Sequence, residues 1–174
     1  MKKIFLITAI LISGLLFTNS CKKDEIGGTA TEDMAGEWYV TVVAVDASDN
    51  IVYTDDELFG LGRFHLDTYN TSSNVASQMW VTDYGTFWDF LVKLDVDNNS
   101  KTFQVTDGQN ESYDSKVTVT NGRILYGAAT TPSGMPADSI VFNVSFDDDP
   151  YPSAYGYANY RVAGFRYTGF TADE

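Results

Sequence analysis

Between Ala76 and Val96 the chain reads ASQMWVTDYGTFWDFLVKLDV, and the second half of that stretch alternates without interruption. Phe90, Val92, Leu94 and Val96 fall on one side, and Leu91, Lys93, Asp95 and Asp97 on the other. A period of two describes an extended chain with one buried face. Just ahead, Met79-Trp80-Val81 reads as a second strand, and Asp83-Tyr84-Gly85 supplies the turn chemistry between the two. Strands that bury bulky side chains on a single face need a partner for that face, so two sheets must pack together or one sheet must close on itself.

The same pattern recurs along the chain, and after the first 20 residues no run of a dozen residues shows a helical repeat. Gly36–Val45 is expected as a strand burying Trp38, Val40 and Val42. Arg63–Tyr69 buries Phe64 and Leu66 and turns His65 and Asp67 outward. Asp97-Asn98-Asn99-Ser100 is a turn, followed by Lys101–Thr106 with Phe103 and Val105 inside and a break at Asp107-Gly108. Tyr113–Thr120 leads into Asn121-Gly122, a two-residue hairpin signal, with Arg123–Tyr126 as the return strand. Beyond the Pro132–Pro136 loop, Asp138–Asp147 places Ile140, Phe142, Val144 and Phe146 on one side, and the last strand runs from Ala158 to about Gly169. The fold class expected is all-β, an up-and-down antiparallel barrel of about eight strands whose interior holds side chains or one small ligand. A β-sandwich is the alternative.

The ends of the chain carry different information. Lys2 and Lys3 precede an apolar run, Ile4–Phe17, that is short for a membrane span and reads as a secretory signal over residues 1–20. Thr18-Asn19-Ser20-Cys21 resembles the loose lipoprotein signal of Bacteroidetes, in which the cysteine becomes the acylated first residue. Lys22-Lys23-Asp24-Glu25 resembles the surface-export signal of some lipoproteins of that group, and a solvated tether is the alternative. The expected organisation is a signal peptide over residues 1–20, a lipidated Cys21 with a flexible tether to residue 33, and one domain over residues 34–174. The implied location is the cell envelope, on the outer membrane, with the facing side open. Cys21 is the only cysteine, so no disulfide forms within the domain. Without Lys2 and Lys3, nine basic residues face 24 acidic ones, a balance that repels phosphate backbones and makes nucleic acid a poor partner.

Catalytic and metal chemistry finds little support. His65 is the sole histidine and faces out, and no Gly-x-Ser-x-Gly elbow exists. Ser133 and Ser139 lie in a Pro-Gly loop, and paired carboxylates are conceivable, for example Asp83 with Asp89, although acids in turns are usually solvated. Asp147-Asp148-Asp149 matches no calcium-loop spacing, and zinc would lack ligands. No catalytic residue, metal or cofactor is assigned. Aromatic residues stand out instead, at 14% of the chain. Trp80, Trp88, Phe142 and Tyr160 are the candidate ligand-lining side chains, with Tyr151, Tyr155 and Tyr157 in a nearby loop. Such rings line a ligand mouth or stack on sugars, or they cap the barrel ends as core.

Gly36-Glu37-Trp38 at the head of the first strand is the G-x-W pattern of lipocalins, in which an arginine from the last strand lies across the tryptophan; Arg161 or Arg166 could supply it. A broader set of pieces comprises Gly36-x-Trp38, Met79-Trp80, Phe87-Trp88-Asp89-Phe90, the run Thr130–Ser139 and the run Gly164–Phe170. Together they resemble a lipocalin-like family of Bacteroidetes lipoproteins described as lipid-binding putative hydrolases. That resemblance implies a small apolar or lipid-like ligand and suggests ester or lipid hydrolysis, with no catalytic residues to carry across. A structural role, or one in binding a partner or a glycan at the surface, is the remaining alternative.

Overall fold

The computed structural model describes residues 28–174. They build a nine-stranded antiparallel sheet: β1 (Gly36–Val45), β2 (Ile51–Tyr53), β3 (Phe64–Asn70), β4 (Gln78–Thr82), β5 (Leu91–Asp97), β6 (Thr102–Gln109), β7 (Lys116–Thr130), β8 (Pro136–Phe146) and β9 (Asn159–Arg166). The order is β2-β1-β3-β4-β5-β6-β7-β8-β9, and β1 also pairs with β9 from Trp38↔Arg166 to Val45↔Asn159. Eight strands therefore close into a barrel, and β2 is a short extra piece on the end of β1. Closure, rather than a two-layer sandwich, is how the single-faced strands meet their apolar demand.

Alternation puts the interior where the sequence pattern places it. Trp38, Val40 and Val42 of β1, Met79 and Val81 of β4, Val92 and Leu94 of β5, and Ile140 and Phe142 of β8 are all fully buried. At roughly 25 cal/mol per Å² of apolar surface removed from water, this lumen of packed side chains is the main stabilising term.

Asn121-Gly122 departs from expectation. It is no hairpin: β7 runs straight through it, and Thr120↔Asn143 and Arg123↔Val141 both pair with β8. Three steps along β7 match two along β8, which leaves one extra residue, a β-bulge. Asn121 takes the left-handed conformation at φ 56°, and a Cβ on Gly122 would collide with the Phe103 ring. The bulge switches parity, so that Val117 and Val119 point inward before it and Ile124 points inward after it. A similar device at Asp107, φ 51°, carries β6 on to Gln109 where a break was expected.

Two short helices also escaped the sequence pattern, α1 (Asp55–Leu58) and α2 (Tyr151–Tyr155). Both are too short for an apolar period to register. Their signals are local: α1 opens with a capping box in which Thr54 and Glu57 bond reciprocally, and α2 begins beside Pro150 and Pro152 and ends at Gly156 with φ 77°.

One end of the barrel is sealed. The Trp38 indole donates to Thr68 Oγ1 at 2.8 Å, and Thr68 Oγ1 donates to the Met34 carbonyl at 2.7 Å. The Arg166 guanidinium lies 4.4 Å from the Trp38 ring centroid and bonds the Ala35 carbonyl at 2.7 Å and Asp138 at 3.2 Å. Of the two arginines considered, Arg166 takes the place over the indole; Arg161 instead meets Asp49 at 3.1 Å. Gly36 is glycine for a steric reason, since a Cβ there would collide with Arg166 Nη1. The last residues of the expected tether are packed against this end. Ala30 N donates to Asn74 at 2.8 Å, Asn98 donates to the Ala30 carbonyl at 3.1 Å, and Lys101 pairs with Asp33 at 2.7 Å. The signal segment and Cys21 lie outside the described residues.

Candidate functional site

The opposite end is built by the Asp46–Arg63 segment carrying β2 and α1, the Asp83–Phe90 loop between β4 and β5, and the β8–β9 connection carrying α2. Asp83 organises the second of these. It is fully buried, and its two carboxylate oxygens accept backbone N–H groups from Gly85 (3.1 Å), Phe87 (2.7 Å), Trp88 (2.9 Å) and Phe90 (3.1 Å). The loop N–H groups that have no strand partner are thus satisfied by one side chain. The solvated turn acid expected at this position is a structural carboxylate. Asp89 beside it is exposed, with φ 55°.

Held in this way, the loop delivers Phe87 and Trp88 over the barrel opening. Trp88 stacks on Phe146 at 4.9 Å between centroids with an interplanar angle of 15°, and lies 6.1 Å from Tyr160 and 6.2 Å from Tyr151. Phe87 meets Tyr160 at 4.9 Å and Phe59 at 5.4 Å. The Tyr157 and Tyr160 hydroxyls share a 2.6 Å hydrogen bond within this apolar surround. Burial, then the Tyr157 hydroxyl and the Asp149 carboxylate, push the Tyr160 phenol far up, so it is a neutral hydrogen-bonding group at any working pH. Asp149 Oδ2 is itself buried, near this hydroxyl but without a well-aligned donor.

Outside this cluster lies a cavity of about 550 Å³ between α1 and α2, lined by Tyr53, Glu57, Leu58, Phe59, Tyr151, Tyr155 and Tyr157. A larger groove of about 640 Å³ crosses the flank of β4–β7 toward the sealed end, past Gln78, Asp95, Asp97, Gln104, Asn121 and Arg123. Apart from Val96 and Phe103 its walls are mostly polar side chains that offer an apolar chain little to bury, so the aromatic mouth is the candidate site despite its smaller volume.

Of the four side chains named from the sequence, the structure brings two together here, Trp88 and Tyr160. Phe142 lies deeper, fully buried against Phe103 at 5.7 Å, as part of the barrel filling. Trp80 is on the outer wall with the Lys93 ammonium 5.8 Å from its ring. Alternation alone separates it from the others: Met79 and Val81 take the inside, which leaves Trp80 outside. Tyr53, Glu57 and Phe59 went unrecognised because they sit on elements too short to read, although Thr54-Asp55-Asp56-Glu57 is a capping-box signature that marks α1.

The residues weighed for other chemistry lie elsewhere. His65 is on the outer wall, 2.8 Å from Glu37 and in ring contact with Tyr39 and Tyr167. Ser139 donates to the Gly164 carbonyl at 2.9 Å, and Ser133 shares a 3.0 Å bond with Thr131. Asp147 accepts the Lys116 N–H at 2.8 Å, Asp148 the Tyr113 hydroxyl at 2.9 Å, and Asp149 Oδ1 the Tyr151 N–H at 2.9 Å. The acidic triplet therefore holds loops. Among the described residues no group of three or more His, Cys, Asp or Glu side chains is arranged to hold a metal ion.

A protein-family model described as lipid-binding putative hydrolase matches residues 23–171. No curated protein matches the chain.

Proposed function

The chain belongs to the family of lipid-binding putative hydrolases, and on that premise we propose that it is a binding protein whose ligand inserts an apolar portion at the open end of the barrel. The observation that carries this reading is the convergence of Trp88, Phe146, Tyr160 and Phe87 beside a cavity of about 550 Å³ at the end opposite the Trp38–Arg166 seal. A packed lumen below that mouth limits how far a ligand can enter, so the site suits a short chain or the end of a longer one. Aromatic surface with a few convergent hydroxyls is the usual composition of such sites.

The reading includes a place in the cell envelope. The basic head and apolar run of residues 1–17, followed by the single cysteine at position 21, support cleavage ahead of Cys21 and acylation of that residue, with the barrel held at the outer membrane. Several acyl chains hold a protein firmly where a single one holds it marginally. The Cys21→Ala chain is expected in the soluble fraction; unchanged membrane fractionation would count against the anchor.

Native mass spectrometry of the full chain, followed by titration of the delipidated protein with medium-chain alcohols and esters, tests the site itself. Co-purified ligand, or a tryptophan fluorescence change that is lost in Trp88→Phe, is the expected result. No ligand and no change with any chain would remove this function.

A further inference from the structure

The cavity beside α1 and α2 has a composition that an uncharged fatty chain does not require. Its rings are Tyr53, Phe59, Tyr151, Tyr155 and Tyr157, and its one charged side chain is Glu57. Tyr151 and Tyr155 are 42% and 57% exposed, so their faces are open to a ligand rather than spent on packing. Tyr53 and Tyr157 meet edge to face at 6.2 Å, and the Tyr53 hydroxyl donates to the Tyr155 carbonyl at 3.2 Å, which ties β2 to the end of α2 across the opening. Among the described residues no lysine or arginine lines the cavity.

We propose that this cavity is an aromatic cage for a quaternary ammonium group, so that the preferred ligand is a cationic or choline-type amphiphile whose chain lies along Trp88 and whose head sits among the tyrosines beside Glu57. The proposal rests on the reading of the barrel mouth as an apolar-ligand site. Ring faces carry negative potential and attract a cation that keeps little hydration, and methylated ammonium is such a cation. A carboxylate or phosphate head would meet Glu57 with no counter-charge in the lining.

Glu57 is held in a defined position. Its Oε2 accepts the Thr54 N–H at 2.8 Å and the Thr54 hydroxyl at 2.9 Å, which ties the carboxylate to the helix start through one oxygen. The Thr54 backbone bond first, and then its hydroxyl, lower the Glu57 pKa, so the carboxylate is charged at neutral pH. Glutamine also serves at this position of a capping box, so Glu57→Gln removes the charge and keeps the helix start.

The test is calorimetric titration of the full chain carrying Cys21→Ser with decyltrimethylammonium, decanoate and decanol, each below its micelle concentration, and with choline alone. Decyltrimethylammonium is expected to bind at least ten-fold more tightly than decanoate. Glu57→Gln should weaken the cation about ten-fold and leave decanol unchanged. Tyr155→Leu should weaken the cation as well, while Glu32→Gln, which removes one charge near the sealed end, should not. If decanol binds and the two charged heads bind alike, or if Glu57→Gln is silent, the cage is overturned and the apolar-ligand reading stands. If choline and decyltrimethylammonium bind equally and decanol does not bind, the cage stands and the apolar reading fails. Binding by none of the four overturns both.

Discussion

Trp38 and Trp88 sit at opposite ends of the same lumen, and each answers a different physical demand. Trp38 is fully buried, its N–H is satisfied by Thr68, and Arg166 covers its face. Replacing it with alanine removes packing, takes from the buried Thr68 hydroxyl the indole N–H it accepts, and strips the guanidinium of its platform. Trp38→Ala is expected to cost about 3–5 kcal/mol, read as a fall in the urea midpoint, which is a large share of a domain's stability. Trp88 is only partly buried and packs at the rim, so Trp88→Ala should cost less stability and abolish ligand-dependent fluorescence. Asp83 resembles Trp38 in consequence though not in kind: Asp83→Ala leaves four inward-pointing N–H groups without their acceptor, at about 1–3 kcal/mol per unsatisfied group before the loop relaxes. Loss of Phe87 and Trp88 packing in near-ultraviolet circular dichroism, with the barrel's far-ultraviolet signal retained, is the expected signature. Trp38 was readable from Gly36-x-Trp38 because one short pattern encodes both the seal and the space for the arginine. The burial of Asp83 was not, because a carboxylate in a turn looks the same in sequence whether it faces water or a ring of backbone donors.

At the scale of elements, alternation was a reliable guide to the strands with one clean apolar face: β1, β5 and β8 lie within a few residues of where the pattern puts them. It failed where a strand bends. Asn121-Gly122 has the composition of a two-residue turn because a bulge and a turn need the same left-handed backbone, and only the neighbours decide which one forms. Here β8 continues on both sides of the pair, so the chain bends and does not reverse. The mouth was legible in part for a related reason: Trp88 and Tyr160 stand in or beside strands, whereas Tyr53 and Glu57 belong to elements of three or four residues and Phe59 follows directly on the second of them. The seam between β1 and β9 offers a test at this scale. Gly164 lies against the backbone of Tyr39 and Val40, where a Cβ would overlap the Tyr39 carbonyl. Gly164→Ala must spread the seam, and a loss of about 1–3 kcal/mol is expected, with early amide exchange along β1 and β9. Gly134→Ala, at a loop glycine with open space around it, should disturb only its own turn.

For the whole molecule, charge sets the conditions under which the barrel survives. Asp46, Asp97 and Asp173 are each held below the ordinary carboxylate range, Asp46 first by the Asn50 N–H, Asp97 first by the Ser100 hydroxyl and Asp173 first by the Thr168 hydroxyl. A carboxyl whose folded pKa is depressed adds stability that is complete above its unfolded value, near 4, and is lost as pH falls through the folded value. The urea midpoint should therefore be flat with respect to these groups from neutral pH to about 5 and decline below about 4. Asp173→Asn should lower the midpoint at pH 7 and converge with wild type in strong acid; a constant gap down to pH 2 would show that Asp173 plays no part in the decline. Finally, the barrel is closed by the pairing of β1 with β9, from Trp38 opposite Arg166 to Val45 opposite Asn159, segments far apart in the sequence. Neighbouring strands can pair locally, but the ring cannot shut until β9 reaches β1, and pairing of such distant segments is intrinsically slow. Until that seam forms, the sheet is an open ribbon whose two outer strands present unpaired backbone groups, so the β1–β9 seam is what denies a second chain a place to pair.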